Sequence, residues 1–340
     1  MGNALVPTSP PPVPDAAADG PLLFGCVLDG RGGCRDVDWN TARSWAPSRV
    51  GEVLWLHLDR VYPDLDDWLT ETLDLNEATA DVLLSNETRP RAFREKDALV
   101  TVLRGINFNP GAEPEDMIAM QIWCDGNRLI TLRRRRLQTP RDVYAELKNN
   151  QGPSTSGDLF TLLAEELVIK MNRSIVDMND RIDEMEEDHD SDIEDLLSEI
   201  ASIRRNCLAL KRYMSPQHEA VLTIQKSSPP WLSEENLTDI RETGERLRRY
   251  LEDLDVSKES AIVLQDDLNN RAQAKMNQTM YMLSIVAAIF LPLGFLTGLL
   301  GINVGGIPGV ESSNAFWITC GALGILMGFQ FLIFRKLKWL

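Results

Sequence analysis

Side chains able to ligate a cation are concentrated in one stretch: Asp183, Glu184, Glu186, Glu187, Asp188, Asp190, Asp192, Glu194 and Asp195. Asp188-x-Asp190-x-Asp192 opens a calcium-loop frame with Glu199 at its twelfth place, but the sixth place, where such a loop turns on glycine, is Ile193. A closed calcium site is therefore not expected. His189 leaves open a looser regulatory cation site of Asp188, His189, Asp190, Asp192 and Glu194, the alternative being a solvated turn between helices, where charge runs usually lie. Arg133 to Arg136 form a basic quartet after an expected strand. With 35 basic and 51 acidic residues the net charge is −16, which opposes binding to a nucleic-acid backbone, so the quartet is expected to pair with carboxylates of the same assembly. His57 and His218 stand alone, and no Ser/His/Asp set or phosphate-cradling glycine loop occurs; neither an enzyme nor a cofactor is expected. Cys26, Cys34, Cys124, Cys207 and Cys320 are widely spaced and odd in number, the pattern of reduced thiols on a cytosolic body.

These groups sit on a chain of 340 residues, long enough for two structural units. From Met276 to Val310, and again from Ser312 to Phe334, there is no Asp, Glu, Lys or Arg. About twenty apolar residues cross a bilayer as a helix, so two C-terminal transmembrane helices are expected. Arg271 and Lys275 precede the first span and Arg335, Lys336 and Lys338 follow the second, which puts both termini in the cytoplasm and leaves the loop of residues 301–315 outside. Glu311, repeated around an oligomer, would raise the cation concentration at an outer mouth, or is an ordinary solvated acid. Neither span holds a histidine and only Cys320 offers a thiolate, so a dehydrating zinc site inside the membrane is not expected.

The remaining elements follow from pattern. Residues 1–20, rich in Pro, Ala and Asp, read as a disordered tail. Residues 21–150 carry short apolar runs (Leu23 to Leu28, Val53 to Leu58, Leu99 to Leu103, Ile118 to Trp123, Arg128 to Leu132) between helix-like stretches, with Asp125-Gly126-Asn127 as a hairpin turn: a cytosolic α/β domain. Residues 151–232 read as an antiparallel pair of long helices. The first, capped by Asp158, carries Phe160, Leu163, Leu167, Met171, Ile175, Met178, Ile182 and Met185. The second carries Leu196, Ile200, Ile203, Leu208, Tyr213, Leu222 and Ile224 and stops at Pro229-Pro230. Residues 233–300, capped by Ser233, form a stalk helix that meets no proline before Pro292 and continues into the first span; residues 316–340 form the second span and a basic end. A helix near ~100 Å long at 1.5 Å per residue needs neighbours, so self-association is expected.

The first span ends Phe290-Leu291-Pro292-Leu293-Gly294-Phe295-Leu296-Thr297-Gly298-Leu299-Leu300-Gly301-Ile302-Asn303-Val304-Gly305-Gly306-Ile307-Pro308-Gly309. This resembles the CorA-type metal ion transporters, whose signature here is Gly-Met-Asn, and more closely their ZntB-type zinc-transporting branch, which has Gly-Ile-Asn. The order of parts is similar over nearly the whole chain. The resemblance implies an α+β protein assembled as a funnel-shaped homopentamer in the inner membrane, with a central pore lined by the first span of each subunit and entered by substantially hydrated cations. Carried over to this chain, the selectivity motif is Gly301, Ile302 and Asn303, and the pore-lining row is Asn277, Met280, Ser284, Ala287, Leu291 and Gly294.

Three- and four-residue spacing puts that row on one helical face whatever the family. The face is neutral, so an ion there meets amide, hydroxyl and carbonyl oxygens; the alternative is that it packs against the second span. Gly294-x-x-x-Gly298 and Gly324-x-x-x-Gly328 read as close-packing positions. Pro292, lacking an N–H, would leave the Ala288 carbonyl unpaired and kink the helix. The reading with most support is transport of divalent cations, zinc first, with a magnesium, cobalt or nickel channel of the same architecture and a membrane-anchored sensor or scaffold as rivals.

Overall fold

The computed structural model describes residues 20–188, 191–302, 309 and 312–336. They divide at Leu264 into two units, taken in turn.

In the first unit seven strands form one sheet: β1 (Leu22–Leu28), β2 (Cys34–Asp36), β3 (Val53–Asp59), β4 (Arg91–Glu95), β5 (Ala98–Gly105), β6 (Ile118–Cys124) and β7 (Arg128–Arg133), in the order β2-β1-β3-β7-β6-β5-β4. β3 and β7 run parallel and every other pair antiparallel. The expected Asp125-Gly126-Asn127 turn joins β6 to β7, with Gly126 at φ +97°, where a side chain would be strained. Both sheet faces are covered, which is why the central strands read as unbroken apolar runs. Trp55, Met120, Ile122 and Leu129 pack with α4 (Gln138–Lys148), α5 (Ser156–Ile169) and parts of α7 (Ile193–Ser227) and α8 (Glu234–Leu300). Leu54, Leu56, Leu58, Ile130 and Leu132 face the opposite layer, made of α1 (Trp39–Ala42), α2 (Leu65–Asp67, extended as a π-helical turn Trp68–Thr72) and α3 (Glu77–Leu84).

The helical part differs from the sequence reading in three places. Thr155, not Asp158, caps α5, and Asp158 completes the capping box by accepting from the Thr155 N–H. The long first helix is two, α5 and α6 (Met171–Glu187), meeting at Lys170. On α7 the seam runs through Cys207, Leu210 and Met214, while Leu208 is exposed and Tyr213 half-buried. The Met171, Ile175, Met178, Ile182 and Met185 stripe is buried as expected, with Met178 Sδ 3.9 Å from Cys207 Sγ. Ser233 caps α8 by accepting from the Asn236 N–H at 3.1 Å, and Ile240, Leu247, Leu254 and Ala261 are buried at every seventh position.

The second unit holds the end of α8 and α9 (Ala315–Lys336). Both helices are long and apolar enough to cross a bilayer.

Candidate functional site

The helix α8 runs without interruption to Leu300 because nothing before Pro292 withholds a backbone donor. Around its apolar end the side chains sort into faces. Ile285, Ala288, Ile289, Pro292, Leu293 and Leu296 are half-buried, and so are Ala315, Thr319, Leu323, Leu326 and Gln330 of α9; each set repeats at helical spacing. The two stripes meet where Gln330 Nε2 donates to the Ala288 carbonyl at 3.3 Å. That carbonyl is the one Pro292 leaves without its helical donor, so the second span supplies from a side chain what the first lacks in its backbone.

The row Asn277, Met280, Ser284, Ala287, Leu291 and Gly294 is exposed at all six positions. Within one chain, therefore, it does not pack on the second span. Ser284 Oγ donates to the Met280 carbonyl at 2.8 Å, which uses its hydrogen and leaves oxygen lone pairs to accept from water. Asn277 Oδ1 accepts from Gln273 Nε2 at 3.2 Å. Gly294, Gly298, Gly324 and Gly328 lie off the contact between α8 and α9, since a Cβ on any of them meets nothing within 4 Å. Among the described residues, their small size serves no packing contact.

Of the selectivity motif, Gly301 and Ile302 are described and Asn303 lies outside the described residues, as does Glu311. The Gly301 N–H donates to the Thr297 carbonyl at 3.0 Å and the Gly298 carbonyl at 3.1 Å, ending the helix. Its φ is not left-handed, and the one carbonyl a Cβ there would approach closely, at 3.1 Å, is that of Thr297 in the helix's own last turn. Ile302 is exposed.

At the acidic turn between α6 and α7, Asp192 caps α7 by accepting from the Glu194 N–H and Asp188 accepts from the Ser191 N–H, both at 3.0 Å. His189 and Asp190 lie outside the described residues. Among the described residues no three His, Cys, Asp or Glu side chains converge as a metal site.

Comparison with known proteins agrees with this layout. A family model described as CorA-like Mg2+ transporter protein matches residues 50–336. The divalent cation transporter CmaX of Pseudomonas aeruginosa is 38% identical over 324 residues, covering 94% of this chain and 97% of that protein. The structure of full-length CmaX superposes with a TM-score of 0.81 at 37% identity, covering 95% of this chain and all of that one. The zinc transport protein ZntB of Yersinia pseudotuberculosis is 32% identical over 326 residues, covering 94% and 96%.

Proposed function

The chain belongs to the CorA-like Mg2+ transporter protein family, and from that premise we propose that it carries divalent metal cations, zinc above others, through a pore that several copies build together. The names its relatives bear are those of transporters, not enzymes. The observation that carries the reading is the exposed neutral row from Asn277 to Gly294: the second span occupies the opposite stripe of α8, so the row is left for other copies to close around. A homopentamer in the inner membrane, with both termini cytoplasmic, is the assembly we assign to it. Zinc passes with its water, because the spans hold no histidine and one thiol; Ser284, Asn277 and a ring of Asn303 amides bind the hydration shell. Glu311 gathers cations at the outer mouth, and the acidic turn with Asp188, His189, Asp190, Asp192 and Glu194 lies outside the selective path.

Magnesium is the rival that the family description favours. Isoleucine at 302, as in the zinc branch, weighs against it. Fluorescent flux assays in sealed proteoliposomes, with zinc and magnesium in parallel, separate the two. Asn303→Leu should abolish zinc flux while the purified oligomer keeps its size. Wild-type flux in that variant removes the filter from this motif, and no flux of either ion through the wild type leaves a membrane-anchored scaffold.

A further inference from the structure

The carboxyl ends of the parallel strands β3 and β7 open on a cavity of about 450 Å3 whose walls include Arg60, Arg104, Arg134 and Arg135. Ends of parallel strands are where open α/β sheets leave a crevice for ligands. The volume is that of a small-molecule site, roughly 300–1,000 Å3. In a chain of net charge −16 this concentration of guanidinium groups is out of proportion, and one carboxylate, Asp116, lines the cavity with them.

Two of the arginines are held in place by neutral groups. Arg60 is 8% exposed, and its guanidinium donates to the Ser85 carbonyl and, at 3.2 Å, to Asn86 Oδ1. Arg104 donates to the Thr88 carbonyl at 2.9 Å, to the Thr88 hydroxyl and to the Met117 carbonyl, and its guanidinium lies 3.8 Å over the Tyr213 ring. At the rim Arg134 and Arg135 are exposed, and Arg134 donates to Asn86 Oδ1 at 3.3 Å. Burial, then the charge of Arg134, lowers the pKa of Arg60; burial lowers that of Arg104, with Arg212 adding to it and Tyr213 opposing. Among the described residues of one chain, neither Arg134 nor Arg135 forms an ion pair with a carboxylate. A neighbouring depression of about 290 Å3 shares Arg134 and adds Arg136, with Asp59 on its wall.

Such a site repels the transported cation. Setting Asp116 against the four arginines leaves three positive charges, and a phosphoryl group carries about −1.5 to −2 at neutral pH, so at least two are needed to balance them. Guanidinium forks match phosphate oxygens two at a time. We infer that this cavity binds a soluble anion with two or more phosphoryl groups, a nucleoside di- or triphosphate or inorganic pyrophosphate, at a site separate from the cation path.

Calorimetric titration of the full-length protein in detergent, without divalent cations, tests this with sodium pyrophosphate, ATP and sulfate. Pyrophosphate and ATP should bind with dissociation constants below about 1 mM, at least tenfold tighter than sulfate, and more weakly as potassium chloride is raised. ATP about tenfold tighter than pyrophosphate assigns the nucleoside form, and equal affinities assign the inorganic one. The double variant Arg134→Gln/Arg135→Gln, whose exposed positions spare the fold, should lose at least about tenfold in affinity for both at an unchanged elution volume. Failure of both phosphates to bind, sulfate binding equally well, or wild-type affinity in the double variant overturns the site. Zinc flux is read in a separate assay, so loss of this site leaves the transport reading standing.

Discussion

In the α/β unit Trp55, Leu56 and Leu58 are shielded completely by neighbours in the same chain, whereas in the apolar helices Leu291, Trp317 and Ile325 leave 72%, 73% and 77% of their surface uncovered. The two regions draw on the same residue types and differ in what covers them. Sheet faces close on α4, α5 and α7 on one side and on α1 to α3 on the other, so that unit completes its own core. The helices share one stripe around Ala288 and Gln330 and leave most of the rest of their circumference uncovered. In the proposed pore, a function that needs the uncovered face belongs to several copies together; one that needs only the sheet belongs to the single chain.

Truncating a large side chain in each region tests that contrast most strongly. Trp55→Ala should cost about 3–5 kcal/mol of the α/β unit's stability, because it empties a fully buried site and removes the hydrogen bond that the indole donates to the Thr131 hydroxyl at 3.1 Å. Phe329→Ala, on an exposed face of α9, should leave that stability within about 0.5 kcal/mol. Urea titration of the full-length protein in micelles measures both, and equal losses would mean that the two regions do not fold on separate terms.

Acid should act on the same side of the contrast. His57 is buried, stacked on Phe24 with ring centroids 4.8 Å apart and with Nδ1 2.8 Å from the Thr131 hydroxyl, and its Nε2 has no hydrogen-bond partner among the described residues. Burial, then the charges of Arg133 and Arg141, holds the imidazole well below its ordinary 6.5. A depressed pKa in the folded state favours the neutral ring, so its stabilisation is complete above about pH 6.5 and is lost as the pH falls towards the folded value, by up to ~1.4 kcal/mol per pH unit. His57→Gln should flatten that slope in denaturation curves taken from neutral to mildly acid pH. An unchanged slope assigns the proton uptake elsewhere. Residues 276–302, with no charged side chain or histidine, should contribute nothing to it.

The smallest effect sharpens the contrast inside the spans. Gln330→Leu leaves the Ala288 carbonyl unpaired and should cost about 1 kcal/mol, seen as a lower thermal midpoint for helix loss in micelles. Adding Pro292→Ala restores an N–H four residues beyond Ala288 and should recover most of the loss. No recovery would show that Gln330 serves something other than the proline's gap.

Sequence pattern revealed the parts of this fold that bury the most. β1, β3, β5, β6 and β7 declare themselves by apolar runs because two layers cover them. β2 and β4 escaped because they are the edges of the sheet: Cys34-Arg35-Asp36 and Arg91 to Glu95 are half-exposed and carry little apolar signal. In the candidate site, the family resemblance supplied the row Asn277, Met280, Ser284, Ala287, Leu291 and Gly294, and spacing added only that the six share one face, since one helix has one period. It did not tell which face α9 takes, because a span apolar all round has no polar side to exclude. Arg60 and Arg104 stand far from Arg134 in the chain, and only strand order brings them to one cavity.

Ala287 and Val286 are both exposed, adjacent in sequence and about 100° apart around α8. Ala287 lies on the row assigned to the pore and Val286 does not. With Cys320, the exposed native thiol, replaced by serine, Ala287→Cys and Val286→Cys can be treated in turn with a membrane-impermeant cationic methanethiosulfonate while zinc flux into proteoliposomes is recorded. The pore account predicts that modification stops flux through Ala287→Cys and leaves Val286→Cys unaffected. Block at Val286→Cys with free passage at Ala287→Cys would contradict it, because the water-filled path would then run along another face of the helix.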